Sequence, residues 1–171
     1  MKLSSGDSPT GTLDRIGLGF LSIAIFLGKS YETLLPALDS STYGRLALDA
    51  TRGVLKLPIG DARVGDGFWP TGFNDHPFTL IWASGKIMRW LGPSAFSARL
   101  LAGLLGVLAV LAVYEYGASV AKSRGAGLVG ALLLLLTPLF VMSSARFQLD
   151  PAMLAGIAIS FVGYFSGRLP L

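Results

Sequence analysis

The chain contains no cysteine and a single histidine, His76. The first absence removes disulfide frameworks, zinc knuckles and thiol nucleophiles, and the second removes any histidine metal cluster. Charge is scarce as well, at 14% of 171 residues, where a soluble domain carries about 25%. What is abundant is apolar: 52% of residues are hydrophobic and the mean hydropathy is +0.62. Basic residues outnumber acidic ones by 14 to 10, but they stand singly, with no cluster or basic helix to track the phosphates of a nucleic acid. Gly60 and Gly65 share the spacing of a phosphate loop without its Gly-Lys-Ser/Thr, so nucleotide binding of that kind is excluded too. The basic excess fits charges flanking membrane helices. The composition is that of an integral membrane protein.

A bilayer-spanning helix needs about 20 apolar residues, and four candidates follow one another. Residues 1–15 are polar and Ser/Gly/Thr-rich, the pattern of a frayed terminus. The uncharged run Ile16 to Gly28, with Lys29 and Glu32 spaced to pair on a helix, predicts a signal-anchor span over 13–35. The second span runs from Leu100 past Glu115 to Ala121, the third from Gly125 to Ala145, and the fourth from Pro151 to Gly167. Pro138, inside the third, predicts a kink of the kind a helix bundle tolerates. Short links make the bundle antiparallel. With a cytoplasmic N-terminus, Lys2, Arg15, Lys122, Arg124 and Arg168 all fall inside, as flanking charge prefers. Arg45, Arg52, Lys56, Arg63, Lys86 and Arg89 then fall outside, in a loop long enough for that rule to weaken.

That loop, residues 36–96, carries most of the chemistry. From Ser40 to Leu55, Tyr43, Leu46, Ala47, Ala50 and Val54 recur at helical spacing and mark one face of an amphipathic helix. From Phe78 to Leu91, Trp82 and Trp90 stand beside Lys86 and Arg89, a mixture suited to a helix lying in the membrane interface. Between them, residues 56–77 are rich in Gly and Pro and predict irregular loop. The expected fold is therefore an all-α membrane protein, one domain over 1–171, with four spans and a large outer loop holding two interfacial helices.

Two carboxylates stand out by position. Asp39 follows the first span and opens the first amphipathic helix, while Asp150 precedes Pro151 at the start of the fourth span. Each has two readings. Asp is a preferred N-cap, and Pro in the first helical turn is an ordinary helix start. A carboxylate at the outer interface can equally take a proton from a hydroxyl.

The order of features resembles the N-terminal part of the multi-span GT-C glycosyltransferases. Its nearest branch holds the protein O-mannosyltransferases and the aminoarabinose transferase of lipid A. The segments that carry the resemblance are Asp39-Ser-Ser-Thr-Tyr43, Asn74-Asp75-His76-Pro77-Phe78-Thr79-Leu80-Ile81-Trp82, Leu91-Gly92-Pro93-Ser94-Ala95-Phe96-Ser97-Ala98-Arg99-Leu100 and Ser144-Ala145-Arg146-Phe147-Gln148-Leu149-Asp150-Pro151-Ala152-Met153-Leu154. The resemblance as a whole covers about residues 14–167. The resemblance implies transfer of a sugar from a polyprenyl-phosphate donor to an acceptor hydroxyl of a lipid, protein or glycan, at the outer face of a bacterial-type plasma membrane.

Carried over, it makes Asp39 the catalytic base and Asp150 the second acidic residue of the site, with His76 and Arg146 toward the leaving phosphate. For Arg146 an interfacial snorkel competes with that role, and for His76 a surface histidine before a proline turn does; Tyr43 reads as packing. Ser40 stands where the family has Glu, and Phe78 replaces the second Pro of a Pro-Pro-Leu segment. No cofactor is indicated by the sequence, and a divalent metal stays open. Family members are considerably longer, so a further C-terminal part or a second chain is expected to complete the donor pocket. The competing reading is a non-enzymatic four-helix membrane scaffold or subunit in which both Asp residues are caps.

Overall fold

The computed structural model describes residues 9–28, 38–51, 78–146, 148 and 150–165. Among these residues the chain is helical throughout, with no strand. The helices are α1 (Pro9–Gly28), α2 (Leu38–Thr51), α3 (Phe78–Leu91), α4 (Ala95–Ala121), α5 (Arg124–Leu135), α6 (Pro138–Ala145) and α7 (Asp150–Phe165).

Helix α4 is the axis of the fold, packing against α1, α3, α5, α6 and α7. Its start is set by a reciprocal capping box. Ser97 N–H donates to Ser94 Oγ at 3.1 Å and Ser94 N–H to Ser97 Oγ at 3.0 Å, so two otherwise orphaned donors are satisfied. Its end is a left-handed residue, Lys122, at φ 50°. Between these caps the buried positions are mostly small, among them Ala98, Ala102, Gly103, Gly106, Ala109 and Ala112. Small residues let helix backbones approach closely where lipid leaves little hydrophobic drive for association.

The closest approaches fall at glycines. A Cβ on Gly127 of α5 would lie 2.5 Å from Tyr114 O of α4, and one on Gly117 would lie 3.2 Å from Gly127 Cα. A Cβ on Gly106 would meet Ser144 of α6 at 2.7 Å.

Helix α1 begins at Pro9, four residues ahead of the expected span, and its helical turns extend through much of the polar segment read as frayed. The charges Asp14 and Arg15 are accommodated because both find partners on α4 and α5. Leu18, Ser22 and Phe26, four apart, form its buried face. Ser22 Oγ donates back to Leu18 O at 2.7 Å, and Phe26 packs edge-on against Phe140 of α6 at 5.6 Å. The other face, with Leu13, Phe20 and Ile23, is exposed.

The third hydrophobic run is broken rather than merely kinked. Helix α5 stops at Leu135 and α6 restarts at Pro138, with a 69° bend between them. Proline supplies no amide to the ladder and collides with the preceding turn. Here it serves as the first residue of a new helix instead. Thr137 Oγ1 donates to Leu133 O at 2.9 Å, satisfying one carbonyl at the break.

Among the described residues two helices, over Thr10–Gly28 and Ala95–Ala121, are long and apolar enough to cross a membrane, and the bent α5–α6 pair makes a third if it counts as one span. Helix α7, 16 residues over Asp150–Phe165, is apolar but shorter.

Helices α2 and α3 form a separate layer over the first turns of α4. Tyr43, Leu46 and Ala47 of α2 pack with Ile81 and Met88 of α3 and Ala98 of α4. Both expected amphipathic helices are thus present over their described residues, and Tyr43, Leu46 and Ala47 are buried as the period of α2 marks; the side chain of Ala50 and residues 52–55 lie outside the described residues. The Gly/Pro-rich segment 56–77 lies outside the described residues, as does 29–37.

Candidate functional site

The end of the bundle where α4 begins is built from small and polar groups. Helix α6 ends in Ser143, Ser144 and Ala145, all buried. A Cβ on Gly103 would touch Leu27 of α1 and Ser144 O, so α1, α4 and α6 converge at this level. The chain then turns at Arg146, whose extended backbone (φ −113°, ψ 166°) ends α6, and α7 starts at Asp150. Ser143 Oγ donates to Asp150 Oδ2 at 3.4 Å across this corner.

Asp150 is exposed while Pro151, next to it, is buried. A carboxylate at the first residue of a helix also meets the positive end of the helix dipole. The corner therefore combines an accessible carboxylate, in long contact with Ser143, with a half-buried cation, Arg146. Among the described residues Arg146 makes no ion pair with Asp150 or with any other acid.

The other expected site residues divide as follows. Asp39 is the second residue of α2, but its side chain lies outside the described residues, and His76 lies outside them altogether. Tyr43 is buried in the α2–α3 layer, in line with a packing role. Ser143 was not singled out by the sequence. Nothing local marks it, because its link to Asp150 spans a corner between two helices. No group of three metal-ligating side chains occurs among the described residues.

A second polar cluster, likewise unforeseen, sits toward the opposite end of α4. Arg15 Nε pairs with Glu115 Oε1 at 2.6 Å. Asp14 Oδ2 accepts from Arg124 Nη2 at 2.6 Å and from Tyr114 Oη at 3.1 Å. These contacts tie α1 to α4 and α5. They explain how a long apolar helix carries Glu115 and how α1 carries two adjacent charges.

An all-helical membrane protein with small-residue packing inside and a carboxylate and a cation at one end of its helices is the class these features define. Residues 75–166 match the family model described as dolichyl-phosphate-mannose-protein mannosyltransferase. The chain belongs to this family of GT-C type membrane glycosyltransferases. The match takes in α3 to α7 with His76, Arg146 and Asp150, and leaves α1, α2 and Asp39 outside it. No curated protein and no solved structure matches the chain.

Proposed function

We propose that this chain works in transfer of a sugar, mannose or a close relative, from a polyprenyl-phosphate donor to an acceptor hydroxyl at the outer membrane face. The observation that carries the reading is the family match over α3–α7 together with the Ser143–Asp150–Arg146 corner it contains. In the proposed reaction the Asp39 carboxylate takes the acceptor's hydroxyl proton. The acceptor oxygen attacks the anomeric carbon, the bond from that carbon to the phosphate oxygen breaks, and the polyprenyl phosphate leaves with inversion at the sugar. Asp150 is the second acid of the site, and Arg146 with His76 stabilises the departing phosphate, for which a guanidinium is well suited. The proposed topology has four spans with the N-terminus cytoplasmic, the bent α5–α6 pair and α7 completing the set.

The test is transfer of labelled mannose from dolichyl-phosphate mannose in membranes that contain the chain. Asp39→Asn and Asp150→Asn should each abolish transfer with helix content unchanged, because Asn caps a helix about as well as Asp. Full activity in both variants refutes the assigned roles. Helix content and membrane insertion kept together with full activity in both variants is the result the scaffold reading expects, in which the two residues are caps that Asn replaces.

A further inference from the structure

Among the described residues, helix α3 has a face that neither the helix packing nor the proposed reaction uses. Its inward side, Ile81, Ser84, Gly85 and Met88, is buried in the layer formed with α2 and α4. Its outward side carries Trp82, Lys86, Arg89 and Trp90, all exposed, with Trp90 91% accessible. The helix sequence, FTLIWASGKIMRWL, contains no acidic residue, and among the described residues neither Lys86 nor Arg89 meets a carboxylate. Lys86 Nζ instead lies 4.9 Å over the Trp82 ring, which holds the ammonium against the helix surface. Lys86, Ile87, Arg89 and Trp90 line an open cleft of about 460 Å³, within the range of small-ligand sites.

The depth of this cleft in a membrane follows from the helix beside it. Trp90 is four residues before Ser94, the cap of α4. At 1.5 Å per residue the 27 residues of α4 extend about 40 Å, more than the roughly 30 Å of a hydrocarbon core. With that excess shared between its two ends, the first turn of α4 reaches the headgroup layer, and the C-terminal half of α3 packs beside it. Tryptophan favours that layer. A guanidinium grips a phosphate through paired N–H donors, and an ammonium adds a point charge. The groove along α7 shows the contrast: it is lined by Ala152, Met153, Gly156, Ile157, Ser160, Phe161 and Tyr164 without any charge, as suits acyl chains.

We infer that the Lys86/Arg89/Trp90 cleft binds the phosphate headgroup of a bulk anionic phospholipid and anchors α3 at the membrane surface. A bulk lipid is favoured over the sugar donor because the cleft opens on the side of α3 away from its packing layer. The donor would have to reach past that layer toward Asp150.

The test uses the full chain with W69F/W82F, which leaves Trp90 as its sole tryptophan. It is reconstituted in phosphatidylcholine vesicles containing a minor fraction of brominated phosphatidylglycerol or brominated phosphatidylcholine. Trp90 quenching should report enrichment of the anionic lipid by roughly fivefold for each engaged basic residue. K86Q/R89Q should make the two brominated lipids equivalent, and K86R/R89K should retain the preference at unchanged helix content. Equal quenching before any charge is removed, or a preference that survives K86Q/R89Q, overturns the inference. So does displacement by polyprenyl phosphate at a mole fraction far below that of the brominated lipid, which would make the cleft a donor subsite.

Discussion

Gly127→Ala is the sharpest test of how α4 and α5 are held together. The added Cβ would lie 2.5 Å from Tyr114 O, nearly 1 Å short of ordinary contact, and 3.0 Å from Ala118 Cβ. The obstructing oxygen belongs to the backbone, so no rotamer change can clear it. The helices must separate, and overpacking of this kind costs about 1–3 kcal/mol. Alanine's better helix propensity returns roughly 0.5–1 kcal/mol, leaving a net loss of about 1–2 kcal/mol. Gly156→Ala is the internal control, because nothing lies within 4 Å of its added Cβ. It gains only the propensity term, so the two variants should differ by about 2 kcal/mol. Unfolding by sodium dodecyl sulfate in mixed micelles, followed by circular dichroism, reads the difference directly. A Gly127→Ala protein as stable as Gly156→Ala would show that the α4–α5 approach is looser than described.

Two further outcomes follow. R15E or E115R alone should lower the unfolding midpoint, and R15E/E115R should recover most of it. The coupling, with both side chains over one-third exposed, should stay within about 1 kcal/mol, and a double variant no better than the worse single one would refute the pairing. Cysteines placed at Gly65 and Ser123 should react with an impermeant thiol reagent from opposite sides of the membrane. Labelling from the same side would overturn the four-span topology.

The apolar runs and the amphipathic faces were legible in the sequence because they depend on local period alone. Tyr43, Leu46 and Ala47 are buried together as their spacing requires, and α3 hides Ile81 and Met88 while exposing both tryptophans. Features that depend on distant partners were not legible. The sequence alone puts the start of α1 too late because Asp14 and Arg15 look like surface charges until Tyr114, Glu115 and Arg124 come beside them. Pro138 announced a disturbance, but a 69° break depends on how the freed carbonyls are satisfied and on what α6 packs against. At the candidate site the sequence marked Asp150 and Arg146 but not Ser143, whose contact with Asp150 forms only when the chain turns between α6 and α7. The roles of Asp39 and His76 rest on the resemblance and the proposal drawn from it.

The break before Pro138 also sets a depth. At 1.5 Å per residue the 12 residues of α5 and the 8 of α6 measure about 18 Å and 12 Å. Joined at 69°, they reach about 25 Å end to end, a few ångströms more with the two linking residues. Taken as one span, the pair falls short of a roughly 30 Å hydrocarbon layer at any tilt. One response to such a mismatch is local thinning of the bilayer, at a cost of fractions of a kcal/mol per ångström. Thinning of that kind would draw water and polar headgroups down toward the Arg146–Asp150 corner. A lipid-borne phosphate could then meet that corner without its charge entering the oil.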